Sequence, residues 1–284
     1  MTELSENYAR GGLAAYDAHL KSLCGANLTE IALRAAGKSR GRLEAAIHEC
    51  EVRAVPMTCG EGAITGFAGV VAQIAAHMGF AARASKAADV SGVAEAAAGG
   101  ASVVFMADED VFLALNIRNG KYAENTDCTA RGFVCALELA CGGLCGKEVL
   151  LLGYGALGRR AARLLADKRA AVTVYDTAAK KAEQAAADGF RAAWADPPPY
   201  GDFQYIFDAT NTGGALDTGI LRPGAIIAAP GIPLSLTPDA RRAFSATLIH
   251  DILPIGVAVM LADVMDCTHR SQRPEARSQI KPAP

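Results

Sequence analysis

Three glycines in the segment GYGALG, Gly153, Gly155 and Gly158, have the spacing of a dinucleotide-binding turn. The first glycine of such a turn allows a tight bend, the second lets a pyrophosphate approach the backbone, and the third lets helix and strand pack closely. The pyrophosphate then lies at a helix N-terminus, where free N–H groups and the helix dipole favour an anion. The flanking patterns indicate a strand before the turn and a helix after it. The predicted cofactor residues of this turn are Gly153, Tyr154, Gly155, Ala156, Leu157 and Gly158.

Asp176 ends the next predicted strand, AAVTVYD. A carboxylate at that point can accept hydrogen bonds from both ribose hydroxyls of NAD, and it repels the additional phosphate of NADP. We therefore predict NAD as the cofactor, although Lys180 and Lys181 follow closely in the sequence. The alternative is a Rossmann-like domain that no longer binds a nucleotide.

Asn211 and Thr212 follow the predicted strand YIFDAT, and Pro230 ends the predicted strand GAIIAAP. Ligands of parallel sheets bind at the carboxyl ends of the strands. We expect these three residues to line the nicotinamide side of the cofactor site, while ordinary turn chemistry explains each of them equally well.

Acidic and amide side chains lie at the ends of predicted elements in the first half of the chain: Glu61, Asp89, Asp108 and Asn125. Carboxylates without basic partners suit an amine substrate. One can hold an ammonium group, and another can take the proton whose loss frees the nitrogen lone pair for hydride departure. Taken singly, each acid is better explained as a cap or a solvated charge, and only together do they favour an amine site. In the loop MTCGEGAITGF, we expect the glycines to let the backbone approach a ligand, so that Glu61 can bind an ammonium group.

The order of predicted elements indicates an α/β protein. Residues 1–145 mix helices and strands, which predicts a helical substrate or cap domain with a small sheet, ending in a long helix over about 126–143. Strands and helices alternate strictly from residue 147, which predicts a Rossmann-type parallel-sheet NAD domain over 146–267. The polar segment 268–284 is expected to be a disordered tail.

The composition narrows the class of protein. The chain has 284 residues, 51% of them hydrophobic, and a net charge of −2, so no basic excess favours nucleic acid as a partner. No apolar run is long enough for a membrane span, and the N-terminus does not resemble a secretory signal, so we expect a cytoplasmic protein. The eight cysteines show no zinc-binding pattern. They are interpreted as reduced thiols, and no metal site is predicted.

Several segments, in this order, resemble the pyrrolysine synthase family (PylD): CGEGAITGF, ADVSGVAEA, VVFMADEDVFLALN, ENTDCTARGFVCALELACGGL and GYGALGRRA. The resemblance extends from about residue 56 to 190 and continues loosely through IHDILPIGVAVM. It implies an NAD-dependent amine dehydrogenase and homodimer that acts on a small dipeptide-like substrate, 3-methyl-D-ornithyl-N6-L-lysine. The terminal amine would be oxidised, ammonia lost, and the ring closed to give pyrrolysine.

The resemblance also implies roles for single residues. Cys59 and Glu61 fall in the substrate loop of the family, Asn125 in its EN motif, and Asp108 in its acidic FMAD motif. We predict that Asp108 is the catalytic base and that Cys59, Glu61 and Asn125 bind substrate. Cys59 stands where we expect serine or another small residue, so the backbone of the loop could bind substrate in place of its side chain.

Two other functions remain open at this point. One is a different NAD-dependent amino-acid or imine oxidoreductase with the same fold, which the fold alone cannot distinguish. The other is a non-catalytic NAD-binding sensor, which would need the glycine motif but not the acidic motifs.

Overall fold

Three helices begin the part of the chain that the computed structural model describes, which is residues 12–194, 198 and 200–266. They are α1 (Gly12–Cys24), α2 (Leu28–Ala35) and α3 (Arg40–Glu49). The second begins at a capping box, in which Asn27 and Glu30 satisfy each other's backbone N–H groups. The side chain of Ser39 caps α3 in a similar way. The predicted helix-rich N-terminal region is therefore confirmed for the residues described.

A five-stranded mixed sheet follows these helices, in the order β2-β1-β3-β4-β5. The first three strands pair in parallel because α4 (Phe67–His77) and α5 (Asp89–Ala98) connect them. The last three pair antiparallel, and Gly120 in the turn of the β4–β5 hairpin has a φ of +76°. The strands are β1 (Glu51–Ala54), β2 (Ala81–Ala84), β3 (Val103–Ala107), β4 (Phe112–Asn116) and β5 (Tyr122–Glu124).

The second sheet has six parallel strands, in the order β8-β7-β6-β9-β10-β11. This is the order of dinucleotide-binding sheets, in which ligands bind where the strand order reverses, here between β6 and β9. The predicted α/β class with a Rossmann-type sheet is confirmed. The strands are β6 (Glu148–Leu152), β7 (Ala171–Tyr175), β8 (Arg191–Ala193), β9 (Tyr205–Asp208), β10 (Ile226–Ala229) and β11 (Leu248–His250).

Helices join the two sheets and flank the second one. The long helix α6 (Asn125–Ala140) connects the sheets, close to the predicted 126–143. The helices of the parallel sheet are α7 (Ala156–Asp167), α8 (Ala179–Ala187) and α9 (Pro238–Ala243). The last helix, α10 (Ile252–Val264), leaves β11 and packs against α2, α4 and α6 of the first half. Its residues from Ile255 to Ala262 are buried, so this helix is apolar on all sides.

The predicted boundary at residues 145 and 146 remains a prediction, and the predicted tail 268–284 lies outside the described residues. One expectation about cysteines was wrong, because Cys50 is disulfide-bonded. Cys24, Cys59, Cys128, Cys135, Cys141 and Cys145 are free thiols. Within the described ranges, no helix is long and apolar enough to cross a membrane, and no acidic, histidine and cysteine side chains cluster as a metal site would require.

Candidate active site

The GYGALG turn connects β6 to α7 at the carboxyl edge of the parallel sheet. Gly153 has a φ of +83°, a left-handed conformation that other residues rarely adopt. A Cβ at Gly158 would overlap the carbonyl oxygen of Gly153, whereas a Cβ at Gly155 would meet nothing within 4 Å. Among the residues that the structure describes, no side chain caps the N-terminus of α7. The turn therefore leaves open space and uncapped N–H groups where a pyrophosphate would fit.

Tyr154 anchors this turn to the helices beneath it. Its side chain is buried, and its hydroxyl donates a hydrogen bond to Asp188 Oδ2 at 2.8 Å. The Arg159 Nε group donates to the same oxygen at 2.9 Å. On the other side, the backbone N–H of Tyr154 donates to Asp176 Oδ2 at 2.6 Å. The turn is thus fixed from two directions, by Asp188 on one side and by Asp176 on the other.

A cavity of about 500 Å³ lies above the turn. Asp176, at the end of β7, lines it, and the carboxylate of Asp176 also accepts the backbone N–H of Ala178 at 2.8 Å. Lys181 lines the same cavity. Of the residues predicted to bind the cofactor, those that line this cavity are Gly153, Gly155, Ala156, Leu157, Asp176, Asn211 and Thr212. Tyr154 and Gly158 are instead buried in the packing beneath the turn.

A second cavity, of about 420 Å³, adjoins the first, because Leu157, Ala209, Thr210 and Asn211 line both. Glu61 from the glycine loop, Asn125 from the start of α6, and Pro230 after β10 all reach this cavity. Of the described residues that line it, Glu61 is the one that carries a charge. The remaining wall is largely apolar and includes Ile64, Phe67, Val70, Phe112, Ile232 and Leu253. Among the described residues, the cavity therefore combines one carboxylate with two amides, of Asn125 and Asn211, and an apolar surface.

The glycines around Glu61 have a structural role that differs from the predicted close approach to a ligand. Glu61 begins a short 3-10 turn and is exposed to solvent. A Cβ at Gly60 would overlap the backbone of Asp108, and one at Gly62 would overlap the carbonyl oxygen of Ala107. The expectation that these glycines allow close approach of a ligand is thus corrected. They let the loop pack directly on the end of β3, and this packing positions Glu61 at the cavity.

Asp108 lies at the turn after β3, where its carboxylate is exposed. Its Oδ1 accepts the backbone N–H groups of Asp110 at 2.9 Å and Val111 at 2.8 Å. The hydrogen bond from Val111, followed by that from Asp110, lowers the pKa of Asp108. Neither Asp108 nor the exposed Cys59 is among the residues lining the two cavities. This placement supports a turn-forming role for Asp108, and its role as a base remains a prediction.

The loop between Pro56 and Glu61 has a further support in Asp89. The carboxylate of Asp89 accepts the backbone N–H and the hydroxyl of Thr58, each at 2.8 Å. Asp89 has a φ of +53°, which is uncommon for a residue with a side chain. The structure therefore gives this acid a structural role, in which it holds the loop at Thr58.

A buried carboxylate that the sequence did not single out supports the wall between the cavities. Asp208, at the end of β9, accepts hydrogen bonds from Ser235 and from the hydroxyl of Thr210, the latter at 2.7 Å. Burial raises the pKa of Asp208. The carboxylate thus ties together the loops that follow β9 and β10, both of which contribute to the cavities.

Asp251 is a second acid that sequence reasoning missed. It follows β11 and precedes α10, whose residue Leu253 lines the second cavity. Its backbone is left-handed, with a φ of +82°. Burial raises the pKa of Asp251 from its ordinary 3.8 to about 6, within the range suited to a general base at neutral pH. The rule that selected Asn211, namely a polar residue at the carboxyl end of a parallel strand, would also have selected Asp251.

Comparisons with known proteins agree with this architecture. The chain is 16% identical to shikimate dehydrogenase from Aquifex aeolicus, with a TM-score of 0.50 over 76% of this chain and 96% of that structure. At this level of identity the similarity concerns the fold alone.

A family model and two relatives match the sequence of the chain more specifically than the fold comparison does. Residues 7–123 match the family model described as "Pyrrolysine biosynthesis protein PylD, N-terminal domain". The chain is 34% identical to pyrrolysine synthase of Methanosarcina barkeri over 76% of this chain and 81% of that protein. It is 33% identical to pyrrolysine synthase of Methanosarcina acetivorans over 76% of this chain and 83% of that protein. This chain therefore belongs to the pyrrolysine synthase family.

Proposed function

We propose that this protein catalyses the NAD-dependent oxidation of the terminal amine of 3-methyl-D-ornithyl-N6-L-lysine, with loss of ammonia and ring closure to pyrrolysine. The observation that carries the proposal is the second cavity, in which one carboxylate, Glu61, adjoins the predicted nucleotide site. The name pyrrolysine synthase of the two Methanosarcina relatives supports the same reaction. A homodimer and a cytoplasmic location remain predictions that accompany this function.

The residues that line the cofactor cavity support NAD as the cofactor. The open side of Gly155 and the uncapped start of α7 would hold the pyrophosphate. Asp176 retains acceptor capacity for ribose hydroxyls beyond its two backbone hydrogen bonds. Asn211 and Thr210 lie on the wall shared with the second cavity and would line the nicotinamide end. Bound NAD would accept the hydride there.

Glu61 would bind an ammonium group of the substrate. Within the part of the chain that the structure describes, it is the one charged side chain lining the second cavity, so a cation is the complementary ligand. The rings of Phe67 and Phe112, with centroids 5.2 Å apart, would pack against the methylene chain. Hydrocarbon chain and charge would thus be bound by different parts of one cavity.

A proton must leave the reacting ammonium before hydride can depart from its carbon. We propose Asp251 as the acceptor of this proton because of its raised pKa; like Asp108 it is not among the residues that line the cavity, but it lies two positions before Leu253, which is. The oxidised carbon is then an iminium carbon. Water displaces ammonia from it to give the aldehyde, and the α-amine closes on that aldehyde with loss of water.

The decisive experiment is incubation of the purified protein with NAD and the methylornithine–lysine amide. We expect NADH absorbance to appear together with a product whose mass corresponds to the loss of two hydrogens and one ammonia. Gly155→Val serves as the matched control that should bind no NAD. If the native protein binds NAD by calorimetry but forms neither NADH nor this product, the proposed reaction is wrong.

A further inference from the structure

The amide of Asn125 is held in one orientation at the wall of the second cavity. Asn125 is the first residue of α6, and its Oδ1 accepts a hydrogen bond from the hydroxyl of Thr129 at 3.1 Å. Thr129 is fully buried one helical turn further on. Among the residues that the structure describes, none accepts a hydrogen bond from the amide nitrogen of Asn125. The nitrogen is not enclosed either, so the carbonyl faces the protein and the NH₂ group can face the cavity.

Gly256 of α10 favours the same orientation. A Cβ at this position would overlap Asn125 Oδ1 and would lie 2.7 Å from the hydroxyl oxygen of Thr129. The Cα–H of Gly256 therefore points at two oxygen atoms, an arrangement that favours an amide oxygen there over an NH₂ group. A glycine inside a helix lowers helix stability relative to alanine. Its occurrence in α10 is explained by the space that these two oxygens need.

We infer that Thr129 and Gly256 are positioning residues that make Asn125 a hydrogen-bond donor toward the substrate. The ligand group is then an acceptor oxygen, the carbonyl of the amide that joins the two halves of the substrate. This inference rests on the proposed function. The carboxylate of Glu61 offers the cavity an acceptor for a cation and the NH₂ group of Asn125 a donor, beside the smaller polar groups of Thr65, Thr210 and Asn211. A substrate with both an ammonium group and an amide carbonyl matches this pair, whereas a simple diamine does not.

Asn125→Asp tests whether Asn125 donates or accepts the hydrogen bond, because the two cases change the Michaelis constant in opposite directions. If Asn125 donates to a carbonyl, the aspartate places an acceptor against an acceptor, and we expect the Michaelis constant for the amide substrate to rise about a hundredfold. If Asn125 instead presents its oxygen to an ammonium, the added charge tightens binding and lowers that constant, which would overturn the inference. The dissociation constant for NAD should stay unchanged and serves as the internal control.

Thr129→Val and Thr129→Ser form a matched pair for the positioning role. Valine keeps the volume but loses the hydroxyl that holds Asn125 Oδ1, so we expect substrate binding to weaken about tenfold. Serine keeps the hydroxyl and should restore nearly native binding. Equal losses in both variants would mean that Thr129 acts only through packing. Gly256→Ala displaces two oxygens and endangers folding, so the Thr129 pair carries this test.

A substrate analogue identifies the group that Asn125 recognises. Replacing the amide carbonyl with a methylene group should weaken binding to the native protein about tenfold, and Asn125→Ala should then cause no further loss. Additive losses would show that Asn125 contacts another part of the substrate. If the native protein oxidises no amide substrate, the proposed function fails. The orientation is then still testable, because Thr129→Val but not Thr129→Ser should alter the side-chain amide NMR signals of Asn125.

Discussion

The two adjoining cavities are built in different ways. The cofactor cavity takes its lining mainly from short segments that directly follow β6, β7 and β9. The substrate cavity gathers its lining from the glycine loop, β4, the start of α6, the loop after β10 and the start of α10. One cavity is thus specified by local motifs, and the other depends on how distant segments pack together. A single substitution in the first cavity should therefore have a large effect on ligand binding. In the second cavity, each substitution should remove one contact and have a smaller effect.

The largest effect is expected at Gly155. A valine there meets no protein atom near its Cβ, so the fold should be retained, but the side chain occupies the space in which the pyrophosphate would lie. We expect NAD binding to fall below detection in calorimetry while the melting temperature changes little. Gly41→Val is the control, because a Cβ at Gly41 also meets nothing within 4 Å. Native NAD affinity in Gly155→Val would show that the nucleotide binds elsewhere.

The next largest effect separates Asp251 from Asp108. Loss of a general base typically lowers turnover by about a hundredfold to ten-thousandfold. We expect this loss in Asp251→Asn at saturating substrate, while Asp108→Asn should change the fold of its turn more than the rate. The native rate should rise with pH around an apparent pKa of about 6, and Asp251→Asn should lack this rise. The opposite pattern, with the rate lost only in Asp108→Asn, would assign the base to Asp108.

Stability provides a second, independent measurement on Asp251. The folded protein binds the proton of Asp251 more tightly than the unfolded chain does, because burial raises this pKa from 3.8 to about 6. The free energy of unfolding should therefore fall as the pH rises through this window, by on the order of 3 kcal/mol. Asp251→Asn removes the buried charge, so this variant should unfold at a higher temperature than the native protein at pH above about 7. Such a gain in stability with a loss of rate is expected of a catalytic group.

The contrast between local motifs and the packing of distant segments also explains which features could be predicted from the sequence. The parallel sheet and the GYGALG turn follow from local alternation and glycine spacing, so the sequence was sufficient for them, whereas the order of the strands was not predicted. Glu61 and Asn125 were selected from the first half, and both line one cavity. Asp251 follows a parallel strand as Asn211 does, but the burial that raises its pKa depends on tertiary packing, which no local pattern records. The role of Gly60 was misjudged for a similar reason, since its neighbour is the distant backbone of Asp108.

Glu61 should show the smaller, stepwise effect expected of the substrate cavity. Glu61→Gln keeps the shape and removes the charge, so an ammonium group loses one charged hydrogen bond. We expect the Michaelis constant for the amine to rise about tenfold to a hundredfold, with turnover at saturation close to native. The dissociation constant for NAD should not change. A fall in turnover without a change in the Michaelis constant would instead place Glu61 in the chemical step.

The smallest effect is expected at Asp176, because this carboxylate does two things at once. It would bind the ribose of NAD, and it also accepts the backbone N–H groups of Tyr154 at 2.6 Å and Ala178 at 2.8 Å. Asp176→Ala therefore removes the repulsion of an NADP phosphate but also loosens the turn that both cofactors need. Lys181 lines the cavity and could meet that phosphate. We expect the ratio of catalytic efficiencies, NAD over NADP, to fall about tenfold, mainly through loss with NAD.

Asp176→Asn is the comparison, since its amide oxygen can still accept one of the two N–H groups. Catalytic efficiencies with both cofactors would test this, and an unchanged ratio in both variants would remove Asp176 from the ribose site.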